Sequence, residues 1–115
     1  MSRPAADRLR DILAASDAIA LHLARGPTDN PFGDGLVFDA VRVRLIEIGE
    51  AVKDLPENVT ATEPDMPWQE IAGMRDRLAH RYFDTSHAIL SATVRNDLPE
   101  LRTTVERLLE RFSDD

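Results

Sequence analysis

The stretch Met74-Arg75-Asp76-Arg77-Leu78-Ala79-His80-Arg81-Tyr82 concentrates more chemistry than any other part of the chain. It holds three arginines, a histidine and the only tyrosine. Ile71, Met74 and Leu78 recur at helical spacing, so the stretch reads as the second half of an amphipathic helix over about Pro67 to Tyr82 or Phe83. The polar residues then form a pattern of Arg, four residues, His, one residue, Tyr. A guanidinium can hold a phosphate through its planar fork and offset charge that builds on it. An imidazole can move a proton near neutral pH. Arg75 and His80 lie about 140° apart around an ideal helix. They therefore do not share a face, and two copies of the helix meeting in a dimer would be one way to bring the groups together.

Working outward, the periodicity predicts further helices on both sides. A first helix is expected from about Arg3 to Ala24, with Leu9, Ile12, Leu13, Ile19, Ala20 and Leu23 on its apolar stripe and Gly26-Pro27 as its stop. His22 beside that stripe reads as a surface or boundary residue. Residues 26 to 35 are a loop by composition. A second helix is expected from about Leu36 to Asp54. Phe38, Val41, Leu45, Ile48, Val52 and Leu55 mark one face, and Val37, Val43 and Ile46 add apolar surface elsewhere, so this helix needs more than one partner. Gly49 within it costs about 1 kcal/mol against alanine, which a close helix crossing would justify. Glu47 and Glu50 are candidates to pair with the arginines of the motif.

Residues 56 to 67 contain three prolines and read as an irregular connection with room for one helical turn. Pro67 suits a first helical position and Trp68 an anchor beside it. After the motif, Asp84-Thr85-Ser86 could cap a fourth helix running to about Asn96. Pro99 should kink or split that helix, Asp97 could cap its continuation, and Leu101, Val105, Leu108 and Phe112 keep helical spacing. His87 is expected at the surface and the tail from Ser113 to frayed. The fold class expected is all-α, an up-down bundle of four or five helices forming a single domain over residues 1–115.

Composition narrows the function classes. The chain has 115 residues, no cysteine and a net charge of −7. Without cysteine there are no disulfides or thiolate zinc sites, and His22, His80 and His87 lack the paired spacing of a metal site. No metal or cofactor is therefore expected. The acidic balance argues against a broad nucleic-acid-binding surface but leaves room for a local cluster, since Arg42, Arg44, Arg75, Arg77 and Arg81 fall within two segments. The N-terminus lacks a signal-peptide core, and no apolar run approaches the roughly 20 residues that span a bilayer. A cytoplasmic protein without membrane contact is the expectation. There is no phosphate-binding glycine loop and no nucleophile elbow. Judged on spacing alone, an exposed cationic face with a satisfied histidine is the simpler account of the motif.

A resemblance changes that balance. The Arg-x4-His-x-Tyr pattern in a small helical chain resembles the HEPN superfamily, and most closely its HepT-type toxins of bacteria and archaea. Asp39-Ala40-Val41 with Leu45-Ile46-Glu47-Ile48-Gly49-Glu50-Ala51 is similar to that family's second helix. Pro67-Trp68 leading to Ile71-Ala72-Gly73-Met74-Arg75 is similar to its approach to the motif, and Asp97-Leu98-Pro99-Glu100-Leu101 to its last segment. The blocks stand in the right order over roughly residues 7 to 110. The resemblance implies a metal-independent endoribonuclease, the toxin of a toxin–antitoxin pair, with Arg75 and His80 catalytic and Asp76, Arg77 and Arg81 supporting. It also implies a homodimer or larger oligomer, an RNA substrate, and a nucleotidyltransferase antitoxin that adds AMP to Tyr82. Some HEPN domains act instead as non-catalytic binding partners of nucleotidyltransferases, and this alternative stays open here. Arg81 stands where relatives often carry a small residue, and Ser86 to Ala92 lacks a tryptophan common in them.

Overall fold

The structure is a computed structural model that describes residues 4–27, 29–79 and 87–113. His80, Arg81 and Tyr82, the expected cap Asp84-Thr85-Ser86, and Asp114-Asp115 of the tail lie outside the described residues, as does the side chain of His87. Helix α1 runs Ala5–Arg25, α2 Gly35–Lys53, α3 is a single turn at Glu57–Thr60, and α4 runs Trp68–Ala79. Helix α5 (His87–Ala92) passes through a π turn at Thr93–Asp97 into α6 (Leu98–Phe112). The all-α bundle expected from periodicity is the observed fold. Among the described residues no helix is long and apolar enough to cross a membrane.

Pairing contacts give the directions. Arg8 bonds Asp54 and Arg44 bonds His22, so α1 and α2 are antiparallel. Arg42 reaches Leu78 while Gly49 and Glu50 meet Arg75, so α2 and α4 are antiparallel too. Helix α1 packs against α6 on its other side, with Arg102 paired to Asp17 at 2.7 Å. The order across the bundle is therefore α4, α2, α1, α6, each neighbour reversed. The core is formed chiefly by Leu9, Ile12 and Ile19 of α1, Val41, Leu45, Ile48 and Val52 of α2, Leu78 and Leu90, and Leu101, Val105 and Leu108 of α6.

Several boundaries were not legible beforehand. Asp34, not assigned a role from sequence, caps α2, its carboxylate accepting from the N–H groups of Leu36 at 2.9 Å and Val37 at 3.1 Å. Phe32 sits in a short 3₁₀ turn within the composition-defined loop and is buried in the core. Ala20, expected on the α1 stripe, is exposed, while Ser16 is buried because its hydroxyl donates to the Ile12 carbonyl at 3.0 Å. Val37, placed off the main α2 face, is buried, and Val43 is 49% exposed. Asp97 makes no side-chain cap. The interruption expected at Pro99 takes the form of a π turn at Thr93–Asp97 between α5 and α6. Pro99 lacks an N–H and crowds the carbonyl four residues back, and the helix answers with a widened π turn just before it.

Two anchors hold the connection before α4. The Trp68 indole N–H donates to the carbonyls of Thr60 at 3.1 Å and Glu63 at 3.0 Å, which ties the start of α4 to the end of α3. The Glu63 side chain accepts from Arg107 at 2.8 Å and Arg111 at 3.2 Å on α6. The Arg107 hydrogen bond, aided by Arg111, holds the Glu63 carboxyl below the usual carboxylate range.

The glycine within α2 answers the question its sequence posed. A Cβ on Gly49 would lie 2.9 Å from both the amide nitrogen and the Cβ of Arg75 and 3.2 Å from the Ile71 carbonyl oxygen. Only a bare Cα lets α2 and α4 cross this closely. Gly49→Ala should therefore destabilise the protein despite a propensity gain of about 1 kcal/mol, because overpacking against backbone costs roughly 1–3 kcal/mol. In thermal denaturation followed by circular dichroism the expected fall in Tm is on the order of 4–8 °C. An unchanged or raised Tm would mean that α4 yields freely at this contact.

Candidate active site

The close crossing sets where Arg75 stands. Its Cα lies on α4 directly over Gly49, so its side chain leaves the crossing along the flank of α2. There the Nε–H donates to Glu50 Oε1, and Nη1 donates to Asp76 Oδ1 at 3.0 Å. The Arg75 side chain is 41% exposed, between the side chains of Glu50 and Asp76, which are 46% and 67% exposed. Asp76 first, and Glu50 with it, raise the Arg75 pKa above its usual value, so its charge is permanent. An arginine offers five N–H donors, and these contacts engage two of them. The arrangement is a half-open cation whose orientation is set by its two carboxylate partners.

Of the residues singled out from sequence, the fold brings Arg75, Asp76 and Glu50 together. Glu47, the other candidate partner, pairs instead with Arg44 of its own helix at 2.9 Å. Arg77 is exposed on another side of α4, where it lines a cleft of about 200 Å³ with Met74, Ile71, Thr93 and Asp97. Arg44 is turned away toward α1, its Nε donating to His22 Nε2 at 3.2 Å. The five arginines counted as one possible cluster are thus dispersed as far as they are described. Arg42 was among them only as a charge. The fold gives it a specific role, since its Nη2 donates to the main-chain carbonyl of Leu78. No sequence signal marks such a contact, because it joins residues 36 apart. Among the described residues no group of three or more His, Asp or Glu side chains is placed to hold a metal ion.

Comparison with known proteins places the chain in a family. A family model described as Ribonuclease HepT-like matches residues 5–108. The chain is 44% identical over 70 residues to a protein of Caldanaerobacter subterraneus subsp. tengcongensis named "Putative RNase TTE0752", covering 60% of this chain and 62% of the relative. It is 31% identical over 107 residues to "Putative RNase MJ0125" of Methanocaldococcus jannaschii, covering 92% and 91%. It is 42% identical over 67 residues to "Probable ribonuclease HepT" of Thermococcus cleftensis, covering 57% and 61%. The chain thus spans about three fifths of the first and third of these relatives and nine tenths of the second. No solved structure gives a significant match. From the extent of the family match, the chain belongs to the HepT-like ribonuclease family.

Proposed function

We propose that the protein is a metal-independent endoribonuclease of the toxin type, with Arg75 and His80 as its catalytic pair. The observation that carries this reading is the half-open Arg75 guanidinium, held by Glu50 and Asp76 on a helix whose sequence runs on to His80. Membership of a ribonuclease family and the names of its relatives point the same way. His80 takes the proton from a ribose 2′-hydroxyl or delivers one to the leaving 5′-oxygen, and Arg75 stabilises the charge gathering on the phosphorane. The products are a 2′,3′-cyclic phosphate and a 5′-hydroxyl. Asp76 orients Arg75, while Arg77 and Arg81 add positive charge along the path of the RNA backbone. The reaction takes place in the cytoplasm.

Control is proposed to act on Tyr82, two residues past His80. A nucleotidyltransferase antitoxin adds AMP there, placing bulk and negative charge beside the groups that must receive an RNA phosphate. The working unit is a homodimer. Leu36 is 82% exposed and Val43, seven residues on, 49%. This apolar stripe of α2 leads toward Glu50 and the Arg75 it holds, so a partner covering it would bring two motifs near a common axis.

Cleavage of RNA by the protein purified without an antitoxin tests the central reading. His80→Ala should lose roughly 10²–10⁴-fold in rate and Arg75→Ala roughly 10²–10³-fold. Arg75→Lys should recover little, since a point charge does not replace a fork. Activity should persist in EDTA, and circular dichroism should report folded variants. If the unmodified protein cuts no RNA, or His80→Ala cuts as well as wild type, the reading fails and a binding partner of a nucleotidyltransferase takes its place. Incubation with such an enzyme and ATP should add mass in steps of one AMP, and labelling that survives Tyr82→Phe unchanged would defeat the assignment. Light scattering at micromolar concentration should return at least twice the 12.9 kDa chain mass, and an active monomer would refute the shared site.

A further inference from the structure

We infer that α2 acts as a jig for the catalytic motif, and that Arg42 is a positioning residue that sets the end of α4 on which His80 depends. The inference rests on the ribonuclease reading above. Beside the apolar packing between α2 and α4, contacts at Arg42, Gly49 and Glu50 of α2 reach the backbone and side chains of α4. Arg42 and Gly49 are seven residues apart and nearly in line on the helix. Opposite them, Ile71, Arg75 and Leu78 form one face of α4 at spacings of four and three. Gly49 holds the backbone at Arg75, with 2.9 Å from a Cβ position to the Arg75 nitrogen. Glu50 holds the Arg75 side chain. Arg42 holds the backbone one helical turn later, at the carbonyl of Leu78.

The kind of contact matters. Among the described residues most arginine partners are side chains at the surface, which move with their own rotamers. Arg42 instead bonds a main-chain carbonyl, so it restrains the helix itself. Leu78 is also the buried apolar residue of α4, and its packing and its carbonyl together fix that turn in both rotation and translation. His80 follows two residues later, and each peptide step is about 3.8 Å long. The register of the Leu78 turn therefore sets the point from which the chain continues to that residue. Catalytic groups misplaced by about 1 Å can cost 10²-fold in rate. Arg42 thus acts on the reaction through the backbone, without needing to touch RNA.

The test compares wild type, Arg42→Ala and Arg42→Lys on a defined oligoribonucleotide, with hydrogen–deuterium exchange of the free proteins alongside. Arg42→Ala should lower kcat by tenfold or more with KM within twofold, and should speed amide exchange in Met74–Ala79 while α1 and α6 keep their protection. Arg42→Lys should restore part of both, because a single ammonium can still donate to one carbonyl. A loss confined to KM with an altered salt dependence would overturn the inference, since Arg42 would then be gripping RNA phosphate. So would unchanged exchange in α4, a kcat within twofold of wild type in Arg42→Ala, or faster exchange spread evenly over the bundle. If the wild type itself cuts no RNA, the ribonuclease reading fails, and faster exchange confined to α4 in Arg42→Ala still establishes the restraint.

Discussion

The bare Cα of Gly49 lets the backbone of α4 pass over α2 with no side chain between them. A helix with twelve residues and only Leu78 fully buried has little apolar surface of its own to hold it in place. Ile71, Met74 and Trp68 are partly buried against the core. Close approach compensates, because dispersion between nearly touching atoms falls steeply with a gap of even half an ångström. The polar contacts at Arg42, Glu50 and Arg75 then become possible because the helices are already near. Without the crossing, none of these side chains would span the distance in a fixed geometry.

The other half of the bundle provides a rigid base for that crossing. Helices α1 and α2 interleave their stripes over Leu9, Ile12, Ile19, Val41, Leu45 and Ile48, and α6 closes the core with Val105 and Leu108. Glu63 joins α6 to the connection ahead of α4 through two arginines, and Trp68 passes that restraint to the first turn of α4. Individually such surface ion pairs contribute little. Here they converge on one largely covered carboxylate, so they locate the segment more than they stabilise the whole. The start of α4 is thus set from α6 and its later turns from α2.

Charge is arranged to the same end. The chain is acidic overall, yet the Arg75 cation is not left to find partners at random. Asp76 and Glu50 flank Arg75 and leave part of its fork facing solvent. A guanidinium oriented beforehand needs less reorganisation when charge develops on a bound phosphate, which is where preorganised donors have most effect. The surrounding acidity limits binding of polyanions elsewhere on the surface.

The sequence by itself determined the helices, those of their approximate limits that fall on described residues, and most of their apolar faces, because those depend on local periodicity and on glycine and proline as stops. Ile71, Met74 and Leu78, or Leu101, Val105 and Leu108, can be read without a partner. It also marked Gly49 as needing a reason and Glu50 as a candidate partner of Arg75, since both stand out against a helical background. Only the tertiary structure decided which reason and which partner. Glu47 and Glu50 look alike in sequence, and it is the rotation of α2 against α4 that sends one to Arg75 and the other to Arg44. Arg42 and Arg44 differ by two residues, about 200° of helix, and so end on opposite neighbours, one on the Leu78 carbonyl and the other on His22. The burial of Phe32 and the π turn before Pro99 likewise depend on what the rest of the bundle presents to them. Such outcomes are set by contacts between residues far apart in the chain, and no spacing within one helix encodes them.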